Sequence, residues 1–155
     1  MDIKGRRVLV TGGAGFFGSW IVRALKARHP SSLVVPRSRE WDLRSAHAAS
    51  RLFRQAKPQV VVHAAARSGG LDFHLTFPAD IFRDNLSMAV NVLESSRRYG
   101  VEQLVLIGSS CAYPGDLDGL FHERDVERGP LHESVAPFGF SKRAVLLGAR
   151  AYRQQ

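Results

Sequence analysis

The chain has 155 residues, 45% of them hydrophobic and 23% charged, which suits a globular domain with a hydrophobic core and excludes disordered, collagen-like and fibrous proteins. It contains neither a run of the ~18 apolar residues that a membrane-spanning helix requires nor an apolar signal-peptide segment, so we expect a cytoplasmic protein without a membrane partner. The 22 basic and 14 acidic residues give a net charge of +8, but the basic residues are scattered, which favours an anionic small ligand over nucleic acid.

Short apolar strands alternate with helical patterns along the chain. The first 63 residues predict a strand at 7–11, a helix at 19–28, a strand at 33–35, a helix at 45–56 and a strand at 59–63. The pattern continues with a helix at 78–99, a strand at 103–107, a loop at 113–130 and a last helix from about residue 137. At the first helix, we expect Phe16, Phe17 and Trp20 to pack between helix and sheet.

This order of elements predicts a doubly wound α/β fold. The links are short and the strands are continuous apolar runs, so right-handed crossovers require a parallel sheet with helices on both faces. We therefore expect residues 1–155 to form a three-layer α/β/α domain of the Rossmann type, represented by its N-terminal part. The usual template predicts a strand order that begins 3-2-1-4, with a ligand crevice between the first and fourth strands.

A glycine-rich segment follows the first predicted strand and reads Thr11-Gly12-Gly13-Ala14-Gly15-Phe16-Phe17-Gly18. Gly13, Gly15 and Gly18 match the spacing G-x-G-x-x-G, whereas starting from Gly12 gives G-x-x-G-x-x-G. In either register one glycine makes a tight turn, a second lets the backbone approach a diphosphate, and the third allows close helix packing. Because free N–H groups at a helix N-terminus attract phosphate, residues 12–18 are predicted to bind a dinucleotide.

The end of the second strand indicates which dinucleotide is bound. Arg37 and Arg39 stand where a site specific for NAD places a carboxylate, and a guanidinium pairs with a 2′-phosphate through two charge-assisted hydrogen bonds. This favours NADP, with NAD as the alternative. Glu40 and Asp42 complicate the local charge, so the two arginines are alternatively ordinary surface residues. Asp42 and Leu43 are predicted to line the adenine pocket.

Histidine and cysteine residues do not predict a metal site. The six histidines show no ligand spacing, and the chain has a single cysteine. His63 ends a buried strand and is predicted to be a hydrogen-bonded core residue. Cys111 is either a small core residue or a catalytic thiol, since two serines adjoin it directly after the fourth strand.

Several motifs together resemble one protein family. They are the glycine-rich segment, the run His63-Ala64-Ala65-Ala66 with Gly69-Gly70, Asn85, and the segment Gly108-Ser109-Ser110-Cys111-Ala112-Tyr113-Pro114. These motifs resemble the extended short-chain dehydrogenase/reductases, that is, the NAD-dependent epimerase/dehydratase family, and within it the branch of GDP-L-fucose synthases. The resemblance runs through almost the whole chain.

The resemblance implies an NADP-dependent enzyme that epimerises and then reduces a nucleotide-linked 4-keto-6-deoxy sugar. Cys111 would exchange a proton beside the ketone, Ser109 would hydrogen-bond the ketone oxygen, and Lys142 would bind ribose hydroxyls of the cofactor. Four further residues are assigned to the cofactor pocket on the same basis: Ala64, Ala65, Ala66 and Ile107.

The chain departs from the family pattern at its proton donor. The family's Tyr-x-x-x-Lys motif stands here as Phe138-Gly139-Phe140-Ser141-Lys142, and a phenylalanine has no hydroxyl proton to donate. Family members are also about twice as long and carry a C-terminal domain for the nucleotide sugar, which we expect to be missing here. We therefore expect little turnover from this chain alone.

Three interpretations remain open. The chain is part of an enzyme whose sugar-binding half lies elsewhere, a dinucleotide-binding pseudoenzyme that contacts a partner, or a shortened or deliberately altered form. A sheet that ends after four strands exposes an unpaired edge, so we expect a homo-oligomer or a companion chain that supplies the missing half.

Overall fold

A computed structural model describes residues 3–155, and its central feature is a parallel sheet of four strands. The strands are β1 (Arg7–Thr11), β2 (Ser32–Val34), β3 (Val60–His63) and β4 (Gln103–Leu106). Each neighbouring pair is parallel, with Leu9 opposite Val34 on one side and Val61 on the other. The predicted doubly wound α/β class is confirmed.

The strand order is β2-β1-β3-β4, so the predicted order beginning 3-2-1-4 is wrong. The burial of β3 gives the physical reason. Val60, Val61 and Val62 are at most 4% exposed and therefore suit an interior strand, whereas Ser32–Val34 is half-buried and forms an edge. The connection after β2 consequently crosses to the far side of β1, so the point where the strand order reverses lies between β1 and β3 rather than between the first and fourth strands.

The described residues also form five α-helices. They are α1 (Phe16–Lys26), α2 (Ala46–Ala56), α3 (Leu71–Thr76), α4 (Pro78–Arg98) and α5 (Ala136–Gln154). Short 3₁₀ turns occupy Ser110–Ala112, Glu123–Asp125 and Glu133–Val135. The described helices include none that is long and apolar enough to cross a membrane.

Apolar side chains cover both faces of the sheet. Leu9 and Val61 pack on one face with Phe53 of α2 and Val92 of α4. The strand residues that alternate with these point to the opposite face of the sheet and form a second cluster with Leu25 of α1. The strand residues of this cluster are Val8, Val10, Val60 and Val62. The three-layer arrangement predicted from the alternating elements is therefore present.

Helix α1 buries a narrower face than the sequence suggested. Gly18 and Leu25 are its buried residues, seven positions apart on one helical face. Phe16 is 88%, Phe17 56% and Trp20 59% exposed, so the prediction that they pack between helix and sheet is wrong. They lie in the first two turns of α1, and Gly18 is a residue at which this helix approaches the loop closely.

The chain divides into two compact units. The first holds residues 3–66 and 87–107, which include the whole sheet, α1, α2 and the second half of α4. The second holds Arg67–Leu86 and Gly108–Gln155, which include α3, the first half of α4, the 3₁₀ turns and α5.

Candidate functional site

The glycine-rich loop in the first unit has no room for side chains at two positions. Gly12 has φ of +70°, and a Cβ there would lie 2.5 Å from the backbone nitrogen of Ala65 and 2.6 Å from the carbonyl carbon of Ala64. A Cβ on Gly18 would lie 2.1 Å from the Gly12 carbonyl oxygen. The loop and the start of α1 are therefore held in close backbone contact.

Gly13 and Gly15 play different parts in this loop. A Cβ on Gly13 would meet side-chain carbons of Val22 and Val35 at 2.8 Å, so Gly13 allows the loop to pack beside the end of β2. Gly15 is the residue that precedes α1, and its amide donates to the Gly12 carbonyl at 3.0 Å. The tight turn thus falls on Gly12 rather than Gly13, which corresponds to the G-x-x-G-x-x-G register.

The N-terminus of α1 is open to an anion. Its N-cap residue Gly15 provides no side-chain hydrogen bond, and its first turn contains no acidic residue. Ala14, Phe16 and Phe17 are exposed beside it. The first amides of a helix have no intrahelical acceptor and carry a partial positive charge, so this end suits a phosphate.

The end of β3 supports the glycine loop from the side. His63 is 5% exposed and its Nδ1 lies 2.7 Å from Thr11 Oγ1, which confirms the predicted core histidine. The amides of Ala64 and Ala65 donate to the Thr11 carbonyl at 3.1 Å and to Thr11 Oγ1 at 3.4 Å. Ile107 continues beyond β4, and its amide donates to the His63 carbonyl at 3.2 Å.

Two arginines follow β2 in the same unit and face solvent. Arg37 makes no ion pair with any residue between 3 and 155, whereas Arg39 lies 3.3 Å from the Glu40 carboxylate. Amides of Glu40 and Trp41 donate to the Arg37 carbonyl, which closes a turn at this point. Arg37 therefore has the more available guanidinium.

The two residues predicted for the adenine pocket both contact other residues of the first unit. The Asp42 carboxylate accepts from Arg44 Nε at 2.9 Å and from Arg44 Nη2 at 2.8 Å. The Leu43 side chain is 6% exposed and belongs to the core. Ala66, in contrast, is exposed after β3.

In the second unit, Ser109 and Cys111 share one 3₁₀ turn. Ser109 precedes Ser110–Ala112, and its Oγ accepts a hydrogen bond from the Cys111 amide at 3.1 Å. The hydroxyl keeps its own proton and remains a potential donor. The Cys111 thiol is half-buried. This turn thus presents a hydroxyl donor and a thiol two residues apart.

Phe138 and Lys142 lie one helical turn apart on α5 in the same unit. Phe138 is 7% exposed, and the Lys142 Nζ lies 5.5 Å from the centre of its ring. Burial lowers the pKa of Lys142 because the charged ammonium loses hydration. His74 of α3 contacts the same ring edge-on, with ring centres 5.4 Å apart. The position of the family's tyrosine is therefore a buried ring in contact with a lysine and a histidine.

The sequence did not indicate two side chains that the structure brings to this region. His74 lies on α3, a six-residue helix too short to give a periodic signal, and its Nε2 lies 3.2 Å from Ser68 Oγ. Arg143 donates to three backbone carbonyls that are distant in sequence. Carbonyl acceptors leave no trace in residue type, so only the fold reveals them.

Asn85, part of the motif set, holds the segment after β3 in the second unit. Its Oδ1 accepts from the Arg67 amide at 2.9 Å, and its Nδ2 donates to the Arg67 carbonyl at 2.8 Å. Arg67 also pairs with Asp84 at 2.6 Å and Asp80 at 3.1 Å. Across residues 3–155, no three His, Cys, Asp or Glu side chains are placed to hold a metal ion.

Comparison with known proteins assigns the family. A sequence model of the NAD dependent epimerase/dehydratase family matches residues 8–155. The chain belongs to this family. The resemblance inferred from the glycine loop, Asn85 and the Ser109 to Cys111 segment is thus confirmed.

Individual family members show the extent of the similarity. The GDP-L-fucose synthase of Azorhizobium caulinodans is 37% identical over 139 residues, which cover 90% of this chain and 44% of that protein. Solved structures include the GDP-mannoheptose C4 reductase of Campylobacter jejuni with NADP bound, with TM-score 0.93, 27% identity and coverage of 100% and 49% of the two chains. A complex of Thermus thermophilus UDP-glucose 4-epimerase with NAD has TM-score 0.80, 32% identity and coverage of 96% and 51%. The chain spans about half the length of the curated relatives it matches.

Proposed function

We propose that this chain is the dinucleotide-binding part of an NADP-dependent nucleotide-sugar epimerase/reductase, similar to GDP-L-fucose synthase and acting on a 4-keto-6-deoxy sugar. The observation that carries the proposal is the glycine loop. Gly12 and Gly18 leave no space for a Cβ, and the uncapped N-terminus of α1 follows directly. Relatives that carry NADP or NAD, and GDP-L-fucose synthases among the similar proteins, support it.

The residues present fit a dinucleotide. A diphosphate at residues 12–18 would meet backbone amides rather than side chains, because the cradle is built from glycine backbone. Arg37 has a guanidinium without an ion-pair partner in the described chain, and it would hold a 2′-phosphate. Arg39 would assist, and by resemblance Lys142 would bind ribose hydroxyls. NAD remains the alternative cofactor.

The chain's own residues would handle protons at a ketone. Bound NADPH supplies the hydride for reduction. Cys111 would remove and return the proton beside the ketone, and the Ser109 hydroxyl, which accepts from the Cys111 amide, would donate to the ketone oxygen. The side chain at 138 offers no proton to the alcohol oxygen that reduction creates, so we expect this step to be slow.

A second candidate function is supported by Phe138 itself. The phenylalanine ring is 7% exposed and packs against His74, so it fills the site as a structural residue. A phenylalanine at this position suits a chain that binds the dinucleotide without turnover and contacts a partner. Strand β4 pairs only with β3 among residues 3–155, and its free edge would accept a strand from a second copy or a companion chain.

Binding and consumption of NADPH distinguish the two candidates. Fluorescence of NADPH should rise on addition of the chain, more strongly than that of NADH at equal concentration. Slow oxidation of NADPH with a 4-keto-6-deoxy nucleotide sugar would support the enzyme, and binding without any oxidation would support the non-catalytic module. Absence of dinucleotide binding at millimolar concentration would contradict both.

A further inference from the structure

The guanidinium of Arg143, on α5, points at backbone carbonyls rather than at a carboxylate. Its Nε donates to the Ala112 carbonyl at 2.6 Å, its Nη1 to Gly129 at 3.0 Å and its Nη2 to Arg128 at 2.9 Å. It forms no ion pair in the described part of the chain. The donors of a guanidinium are spread over three nitrogen atoms in one plane, whereas those of an ammonium all leave a single atom.

The three acceptors stand at the two ends of one loop. Ala112 closes the 3₁₀ turn that contains Cys111, whereas Arg128 and Gly129 end the excursion that follows it. A bridge between Pro114 and Leu131 runs beside them. One side chain therefore fixes both the exit of the Cys111 turn and the return of the loop.

Helix α5 touches the same turn a second time. A Cβ on Gly139 would lie 2.1 Å from the Cys111 carbonyl oxygen, so the helix backbone presses directly on the turn. Gly139 and Arg143 are four residues apart and share a helical face. Phe138 and Lys142 form the adjacent pair at the same spacing. The face that grips the Cys111 turn thus lies next to the face that carries the Tyr-x-x-x-Lys positions.

We propose that Arg143 is a positioning residue that holds the Cys111 turn against α5. The inference rests on the proposed function only in that Cys111 is the proton-exchanging thiol. Proton transfer falls off steeply when a group is displaced by about 1 Å. Arg143 sets the placement of Cys111 relative to the Phe138 and Lys142 pair within the second unit, and it touches neither substrate nor cofactor.

Alkylation of Cys111 tests the proposal without any need for turnover. Cys111 is the only cysteine, so iodoacetamide incorporation followed by mass spectrometry reports this turn alone. Removal of the clamp in Arg143→Ala should accelerate alkylation about tenfold, because the turn opens locally more often. Arg150→Ala is the control, since Arg150 lies on the same helix and pairs with exposed Glu127 at 2.5 Å. It should react at the wild-type rate.

Chemical rescue separates positioning from a general loss of stability. Low-millimolar guanidinium chloride should slow alkylation of Arg143→Ala towards the wild-type rate, whereas methylammonium chloride at the same concentration should not. Guanidinium otherwise destabilises folded proteins, so protection is opposite in sign to its general effect. Equal results with the two salts, or alkylation of Arg143→Ala at the wild-type rate, would overturn the proposal.

Two further measurements keep the result interpretable. If Arg143→Ala does not fold, Arg143→Lys takes its place, and it should also react faster than wild type because one ammonium does not span three carbonyls. Wild-type reactivity of Arg143→Lys would overturn the proposal. NADPH binding is measured in parallel and should be unchanged in these variants. A wild-type chain that binds no NADPH would contradict the proposed function while leaving the alkylation result valid for Arg143.

Discussion

The glycine loop and the Phe138 region differ in how completely they carry the groups that binding and proton transfer need. In the first unit, the positive φ of Gly12 and the uncapped start of α1 both favour binding of a diphosphate. In the second unit, Ser109, Cys111 and Lys142 match the family motif, but the ring at 138 has no hydroxyl. A backbone cradle for binding and a side-chain proton donor for chemistry are thus separate features, and one can be present where the other is absent.

Restoring the missing hydroxyl is the strongest way to break this contrast. In Phe138→Tyr, oxidation of NADPH by a 4-keto-6-deoxy nucleotide sugar should rise by ~10²- to 10⁴-fold, the usual contribution of one placed acid. Phe140→Tyr is the matched control, because Phe140 is 53% exposed on the same helix and should give no gain. If Phe138→Tyr still oxidises no NADPH in the presence of any companion chain, the result would favour the non-catalytic module.

Adding a methyl group at Gly12 of the glycine loop should weaken NADPH binding, whereas Phe138→Tyr alters the proton-transfer step. Gly12→Ala places a Cβ 2.5 Å from the Ala65 nitrogen, so the loop must shift and NADPH affinity should fall about 100-fold. Gly100→Ala separates this clash from backbone strain, since Gly100 has φ of +66° with open space around it. That control should lose ~1 kcal/mol of stability and keep its affinity. Equal affinities of the two variants in a fluorescence titration would refute the close-approach argument.

Removal of the arginine charges that follow β2 tests whether the chain prefers NADPH to NADH. Arg37→Ala should weaken NADPH binding about tenfold or more, the value of a charge-assisted pair, and leave NADH binding unchanged. Arg39→Ala should have the smaller effect, because Arg39 already contacts Glu40. Arg54→Ala, in the last turn of α2, serves as control. Parallel loss of NADPH and NADH affinity in Arg37→Ala would contradict a 2′-phosphate contact.

The smallest expected effect is on stability at high pH. Burial lowers the pKa of Lys142 from its ordinary value of 10.5, so the folded chain releases this proton before the unfolded chain does. The cost of burying the ammonium therefore applies below the lowered pKa and is relieved as the pH rises towards 10.5.

Thermal melts from pH 7 to 11 check this sign. Relative to Lys142→Met, wild-type Tm should rise across the window, by no more than ~4 °C. The control Lys26→Met replaces an exposed lysine and should track wild type at every pH. A wild-type Tm that falls relative to Lys142→Met would mean that the pKa is raised instead.

The sequence predicts elements well where one local rule decides them. The strand at 7–11 is confirmed at both ends, because an unbroken apolar run marks it. Helix α4 is confirmed from Pro78 to within one residue of its predicted end, because a proline begins it and a glycine follows it. Helix α1 begins three residues before the predicted start, since the glycine loop enters it directly. Helix α3 was missed because six residues carry no period.

Long-range features were the ones that local pattern did not supply. The strand order depends on which strands lie inside the sheet with a neighbour on each side. The full burial of Val61 on β3 becomes evident only once the sheet is assembled. In the candidate site, the glycine loop follows from its spacing. The Arg143 clamp does not, because its acceptors are carbonyls from 14 to 31 positions away.

A crystal structure of the chain grown with NADPH shows whether the glycine loop holds the diphosphate. We expect density for the diphosphate within hydrogen-bond distance of the backbone amides at residues 14–18, with Arg37 at the 2′-phosphate. NADPH bound elsewhere, or a loop closed over by the exposed side chains of Phe16 and Phe17 at saturating NADPH, would contradict it.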